Sequence, residues 1–166
     1  MNDSAIFLHL DGQTQVVLER TFEQPPSSLW SQLTHPAKLP QWLAPGEIEP
    51  RVGGVARLDF GVSGAVIDSM VTAFEPHRLL EYSWSAPDEP TRPLRWEIIP
   101  AGRGSRLRLI LRVPADEDAA RAAAGFEAHL EMLAAALEGV PIKFPFETFK
   151  AAREAYRLDL AGRDAA

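Results

Sequence analysis

Cysteine is absent from the 166-residue sequence, which excludes disulfides, thiolate nucleophiles and cysteine-ligated metal centres. No apolar run approaches the roughly 18 residues that a membrane span needs. The sequence also lacks a basic start leading into an apolar segment, so we expect neither a membrane span nor a secretory signal. The 17 Lys and Arg residues are outnumbered by 23 Asp and Glu and do not cluster, which argues against nucleic acid as a partner. These absences predict a soluble, cytoplasmic protein.

Metal-binding and catalytic motifs are also missing. The histidines His9, His35, His77 and His129 are isolated, and no acid–histidine spacing matches a zinc-binding helix. The segment Gly61–Gly64 lacks the spacing of a nucleophile elbow and predicts a hairpin turn instead. We therefore assign no metal ligand, no cofactor and no catalytic residue.

The first 45 residues predict a hairpin followed by two short helices. Asp11-Gly12 is a strong turn dipeptide between two apolar strands, because glycine tolerates a positive φ. A short helix follows Pro25-Pro26, and Ser27 or Ser28 is the expected N-cap. A second helical piece carries Leu39, Trp42 and Leu43 and ends at Pro45-Gly46.

Residues 47–114 change to a period of two and predict five or six antiparallel strands. The segment Arg106–Val113 is the clearest, because leucines and arginines alternate along it. One face of this sheet is therefore buried and the other is in water.

A long amphipathic helix follows and opens at Asp116–Asp118, where acidic residues favour a helix N-terminus. Its apolar stripe repeats at helical spacing and ends before Gly139. An aromatic tail then predicts one more helix, ending near Gly162. Together these elements predict an α+β helix-grip fold, a curved antiparallel sheet wrapped around the long C-terminal helix. A twisted sheet and a straight helix leave a gap between them unless large side chains fill it.

Eight short segments follow a recognisable order and spacing between about residues 16 and 140. They are Glu19–Phe22, Pro25–Trp30, Leu33–Pro36, Leu39–Trp42, Gly53-Gly54, His77–Trp84, Gly102–Leu107 and Gly125-Phe126. This series resembles the START-like (SRPBCC, birch-pollen-allergen-like) superfamily, in the branch named after the activator of heat shock protein 90 ATPase. The chain departs from the pattern at Phe126, where that branch more often has Trp, and in the aromatic tail.

The resemblance implies a START-like domain over residues 1–140. Residues 141–166 would then be a helical extension, packed on the same domain or on a partner chain, where it could form a homodimer contact. The extension could also alter a pocket.

Aromatic residues expected to point into the gap are the main candidates for a ligand site. The cavity candidates are Phe60, Met70, Tyr82, Trp84, Trp96, Phe126, His129 and Leu133. Aromatic walls with a few polar groups suit an apolar or aromatic small molecule. The same side chains could instead simply fill the core, and His129 could be a half-exposed helix residue.

Three functions remain open at this stage. The favoured prediction is binding of a hydrophobic or aromatic small molecule between the sheet and the long helix. One alternative is an enzyme resembling polyketide cyclases and dehydratases, with His129, Tyr82 and Asp68 as the acid–base set. The other is a co-chaperone-like module that binds a chaperone, as the branch name implies.

Overall fold

The computed structural model describes residues 4–61 and 64–165 and contains one open, fully antiparallel sheet. Its strands are β1 (Ile6–Leu10), β2 (Gln13–Phe22), β3 (Gly46–Ile48), β4 (Val55–Asp59), β5 (Val66–Glu75), β6 (Leu79–Ser83), β7 (Pro93–Ala101) and β8 (Gly104–Pro114). They lie in the order β1-β2-β8-β7-β6-β5-β4-β3. The six strands after β2 agree with the expected five or six. The turn predicted over residues 61–64 includes Val62 and Ser63, which lie outside the described residues.

Within the described residues, three α-helices and one 3₁₀ turn accompany the sheet. They are α1 (Pro26–Thr34), the 3₁₀ turn (Leu39–Gln41), α2 (Ala119–Leu137) and α3 (Phe146–Ala165). The second of the two short helices predicted after the first long strand is therefore only this single turn. Pro40 lies within it and supplies no backbone N–H to extend a helix.

Helix starts follow local chemistry, with one correction to the predicted caps. The N-cap of α1 is Pro25, which makes no side-chain cap bond, and Ser27 and Ser28 lie inside the helix. Pro26 occupies the first helical position. A backbone N–H at that position makes no hydrogen bond within the helix, so proline's lack of one costs nothing there. At α2, by contrast, the carboxylate of Asp118 accepts a hydrogen bond from the backbone N–H of Arg121 at 3.0 Å. The acidic start predicted for the long helix is thus its N-cap.

The core lies between the inner face of the sheet and α2. Alternate residues of β7 and β8 are fully buried: Leu94, Trp96, Ile98, Leu107, Leu109, Leu111 and Val113. Phe126, Leu130 and Leu133 of α2 belong to the same buried cluster. The predicted α+β helix-grip fold is confirmed by this arrangement.

The outer face of the sheet carries a network of ion pairs. Arg108 donates to Glu19 at 2.7 Å, and Arg95 donates to Glu81 at 2.9 Å. These hydrogen bonds hold the pKa of both guanidinium groups above its ordinary value. Such part-exposed pairs each contribute little to stability. This face is the solvent-exposed face that the alternation of apolar and charged residues along the strands predicts.

The C-terminal extension folds back onto its own chain, and α3 packs against α2. The Tyr156 hydroxyl accepts a hydrogen bond from the backbone N–H of Ala5 at 3.0 Å and donates one to Glu127 at 2.6 Å. Glu127 also pairs with Arg20 of β2. One tyrosine therefore joins α3 to α2 and to the residue preceding the first strand.

Candidate functional site

The eight cavity candidates separate into three groups by burial. Tyr82, Trp96, Phe126 and Leu133 are buried, and Tyr82 and Trp96 are only 1% and 0% exposed. Phe60, Trp84 and His129 are half-buried.

Met70, in contrast, is 57% exposed on β5, because its neighbours Ile67 and Val71 take the inward positions of that strand. We therefore remove Met70 from the candidate set.

The deep part of the gap is occupied by aromatic rings. Trp42 and Trp96 meet edge to face, with ring centroids 5.5 Å apart. The indole N–H of Trp42 donates to the Gln32 carbonyl at 2.8 Å, and that of Trp96 donates to the Tyr82 hydroxyl at 3.3 Å. Both indoles therefore have hydrogen-bond partners without any ligand.

The Tyr82 hydroxyl belongs to this filled interior. Burial raises the pKa of the phenol well above its ordinary value of about 10, and the bond from Trp96 opposes that shift only in part. The hydroxyl therefore stays neutral in any ordinary solution. Asp68, the acid that the sequence suggests as a partner of Tyr82 and His129 in catalysis, pairs with Arg57 on the exposed side of the sheet. Neither side chain is among the residues that line the opening beside His129.

Open space lies instead beside α2, in a cleft of about 770 Å³. We call it the α2 cleft. It is lined from α2 by Ala122, His129 and Met132, from the extension by Phe144, Phe146 and Phe149, and from earlier elements by Leu43, Phe60 and Gly64. Its charged lining residues, at the start of α2, are Glu117, Asp118 and Arg121. A volume of this size and a mainly apolar wall are typical of small-molecule sites.

Aromatic contacts connect the filled interior to the cleft. Phe126 packs against Trp96 at 6.0 Å and Trp84 at 5.0 Å, and Trp84 in turn packs against Phe60 at 5.7 Å. His129 contacts Phe60 at 5.8 Å and Phe144 at 5.3 Å. Trp96 and Phe126 are buried, whereas Trp84, Phe60, His129 and Phe144 are half-buried. A ligand in the cleft would therefore rest on a wall that the core holds in place.

His129 is the polar group best placed for chemistry. Its Nδ1 lies 2.8 Å from the carbonyl oxygen of Trp42. A carbonyl can only accept, so Nδ1 carries the proton and the neutral ring leaves Nε2 as an acceptor. Burial lowers the pKa of His129, and the bond to Trp42 only partly offsets this, so the ring is neutral near pH 7. The bond from Nδ1 is the hydrogen bond that the His129 side chain makes within the described residues, so Nε2 has no partner there.

The acids in the cleft lining are already paired. The guanidinium of Arg92 donates two hydrogen bonds to the carboxylate of Glu117, at 2.7 and 2.9 Å. These bonds raise the pKa of the Arg92 guanidinium. Asp118 pairs with Arg153 of α3 at 3.4 Å. The guanidinium of Arg121 has no ion pair or hydrogen bond within residues 4–61 and 64–165.

Sequence patterns missed most of the cleft wall. Met132 lies one position from the predicted stripe residue Leu133, and at helical spacing that step changes the face. Phe144, Phe146 and Phe149 belong to the aromatic tail, which the sequence predicts as a helical extension on the same domain or on a partner chain that could alter a pocket. Their clustering within six residues was the available signal.

Neither the outer sheet face nor the titratable side chains of the described ranges form a comparable apolar site. A depression of about 370 Å³ on the outer sheet face is lined mainly by ion-paired side chains such as Arg95 and Glu97. Within the described ranges, no three His, Asp or Glu side chains are grouped to hold a metal ion. Among the helices of those ranges, none is long and apolar enough to cross a bilayer.

Comparison with models of known protein families shows which family this chain belongs to. The model for the activator of Hsp90 ATPase homologue 1-like proteins matches residues 23–138, which is more than half of the chain. The chain belongs to this family. The family resemblance seen in the sequence is therefore confirmed. Comparison with curated proteins found no match.

Solved structures share the helix-grip architecture of this member of the activator of Hsp90 ATPase homologue 1-like family. A Bordetella parapertussis protein is 28% identical and has a TM-score of 0.71, with 94% of this chain and 93% of that chain covered. CalU16 from Micromonospora echinospora is 18% identical, with a TM-score of 0.74 and coverage of 93% and 94%. DynU16, encoded in the dynemicin biosynthetic locus, is 25% identical with a TM-score of 0.70, covering 76% of this chain and 48% of that chain.

Proposed function

We propose that the protein binds an apolar or aromatic small molecule in the α2 cleft. The carrying observation is the cleft itself, an opening of about 770 Å³ walled largely by aromatic and aliphatic side chains. Transfer of such surface out of water contributes about 25 cal/mol per Å² of apolar area. The proposal moves the ligand from the gap between sheet and helix, which Trp42 and Trp96 fill, to the opening beside α2.

The test is calorimetric titration with 2-naphthol of wild type and two matched variants. Ala122→Trp places an indole inside the cleft, whereas Ala134→Trp places one on an exposed position of the same helix. We expect saturable one-to-one binding to wild type and Ala134→Trp, and its loss in Ala122→Trp. Equal binding to all three proteins would place the ligand elsewhere, and no saturable binding to wild type would contradict the proposal.

A second candidate is a proton-transfer enzyme of the cyclase or dehydratase type, and the favouring observation is Nε2 of His129. A neutral imidazole with an open acceptor nitrogen can remove a proton from carbon beside a carbonyl, with the electron pair passing to the carbonyl as an enolate. The probe is α-proton exchange of 2-tetralone in D₂O, followed by NMR. Catalysis predicts exchange faster than in buffer and loss of that acceleration in His129→Gln. Exchange at the buffer rate would reject the enzyme and leave simple binding.

The remaining partners inferred from the sequence are a chaperone and a second copy of the chain held by the extension. They stay predictions, as does the cytoplasmic location. The described contacts of α3 with Ala5 and Glu127 are all within one chain.

A further inference from the structure

Two polar groups facing the α2 cleft have no partner among the described residues, and they lie on the same helix. Nε2 of His129 is a hydrogen-bond acceptor, and the guanidinium of Arg121 is a cation and donor. Eight residues separate them, which corresponds to about 12 Å along the axis of α2. Apolar residues, including Ala122, line the cleft between and around them.

The charges around Arg121 favour an anion there. Glu117 accepts two hydrogen bonds from Arg92, which also pairs with Glu89 at 3.3 Å, and Asp118 pairs with Arg153. Both acids in the cleft lining therefore already have a cationic partner. Arg121 is the cation in this group that lacks one. An arginine fork recognises a carboxylate through two parallel hydrogen bonds.

Gly125 lies on α2 between these two groups, and its lack of a side chain leaves free space on this part of the helix. At 100° per residue it is about 40° around the helix from His129, towards Arg121. A Cβ built at this glycine would meet nothing within 4 Å. Glycine inside a helix is less stable than alanine by roughly 0.5–1 kcal/mol, and no close approach of another element requires it here. The missing side chain leaves room beside the middle of the proposed ligand.

We propose that the cleft selects an elongated aromatic acid, with its carboxylate at Arg121 and a hydroxyl or N–H group donating to Nε2 of His129. This inference rests on the proposed binding function and names the ligand class. The apolar body would lie along α2 between Arg121 and His129, against the walls formed by Phe60 and Phe144.

Four naphthalenes separate these contributions by calorimetry at neutral pH. 6-Hydroxy-2-naphthoic acid has both groups, 2-naphthoic acid lacks the hydroxyl, and 6-methoxy-2-naphthoic acid replaces the donor with an acceptor. 2-Naphthol keeps the donor and lacks the carboxylate. We expect the first to bind tightest, with about tenfold weaker binding when either group is removed, as suits a hydrogen bond to a charged or buried partner.

Variants assign each preference to its residue. Arg121→Gln should abolish the advantage of 6-hydroxy-2-naphthoic acid over 2-naphthol, because it removes the cation that only the carboxylate contacts. His129→Phe keeps a ring but removes the acceptor, so it should abolish the advantage over 2-naphthoic acid. Arg106→Gln makes the same charge change at an exposed position of β8 and should alter neither preference.

Two outcomes would overturn the inference in different ways. Binding of all four compounds within about twofold, or preferences that survive both cleft variants, would reject the aromatic-acid class while leaving the binding function intact. Failure of all four compounds to bind wild type would reject the binding function and the ligand class together.

Discussion

The interior between the sheet and α2 and the cleft beside α2 are both lined by aromatic side chains. They differ in how much free space they contain and in whether their polar groups have partners. In the interior, Trp42 and Trp96 are fully buried and their indole N–H groups have protein partners. In the cleft, Nε2 of His129 has no protein partner among the described residues, and a Cβ built at the nearby Gly125 of the same helix would meet nothing within 4 Å. The two indole N–H groups of the interior thus have partners, whereas the imidazole nitrogen that faces the cleft has none among the described residues. An aromatic-rich sequence alone does not separate these two states.

The division follows from the geometry of one helix. Phe126, Leu130 and Leu133 face the sheet, whereas Ala122, His129 and Met132 face the cleft. The two sets are offset around α2 by less than half a turn, so the core that holds the helix also positions the cleft wall. Substitutions in the two regions should therefore change different properties, stability in the first and binding in the second.

The largest expected effect is on stability in the interior. Trp96→Ala should lower the free energy of unfolding by about 3–5 kcal/mol, because it removes a buried indole and leaves a cavity. Phe144→Ala, at the half-buried cleft wall, should cost about 1 kcal/mol yet abolish binding of 2-naphthol. Urea unfolding of both variants measures the difference. Equal losses of stability would mean that the cleft wall is an ordinary part of the core.

The next effect concerns how the extension is held against the rest of the chain. Tyr156→Phe keeps the ring packed on Phe7 but removes the hydroxyl that bonds Ala5 and Glu127. Losing a part-buried hydroxyl with two partners should cost about 1–3 kcal/mol in urea unfolding. Thr72→Val is the matched control, because it removes an exposed hydroxyl that bonds Glu81. A loss for Tyr156→Phe no larger than that for Thr72→Val would contradict the anchoring role.

Alanine substitutions at two glycines should change the free energy of unfolding by a smaller amount, and in opposite directions. Gly125→Ala should raise the free energy of unfolding by about 0.5–1 kcal/mol, because alanine suits a helix better and meets no neighbour. Gly104→Ala should lower it, because the added Cβ would overlap the Phe22 carbonyl oxygen. Thermal unfolding of both variants tests the contrast. Destabilisation by Gly125→Ala would show that the space beside it is already filled.

The smallest expected change is the pH dependence of stability that His129 contributes. Burial lowers its folded-state pKa below the ordinary value of about 6.5, so the unfolded chain binds a proton more readily. The contribution is present above pH 6.5 and is lost as the pH falls through the folded-state value.

Wild type should therefore lose stability more steeply than His129→Gln between pH 7 and pH 5. The cleft acids Glu117 and Asp118 remain in both proteins, so the comparison isolates the imidazole. Parallel curves in urea titrations across this range would contradict the buried, neutral assignment.

Local periodicity was enough to predict the fold because most elements have one unambiguous apolar face. Arg106–Val113 and the α2 stripe each allow only one burial pattern. β5 is different, since Val66-Ile67 and Met70-Val71 place apolar residues on both faces, and one step of register moves Met70 from inside to outside.

The cleft was only partly predictable for a tertiary reason. Phe60, Trp84, Phe126 and His129 were expected at a cavity and lie at or beside the α2 cleft. Whether Trp96 fills a gap or lines one depends on the distance between sheet and helix, which no local pattern contains. Where Phe144 and its neighbours fold depends on the long-range anchor at Tyr156.

The most direct test uses the three methionines of the chain as reporters. Met132 lines the cleft and Met70 lies exposed on β5, so ¹³C-methyl labelling places one signal inside the proposed site and one outside it. A Met132→Leu variant assigns the signals. On titration with 2-naphthol, we expect the Met132 methyl resonance to shift saturably while that of Met70 stays fixed. A shift at Met70 with Met132 unchanged would contradict a ligand site beside α2.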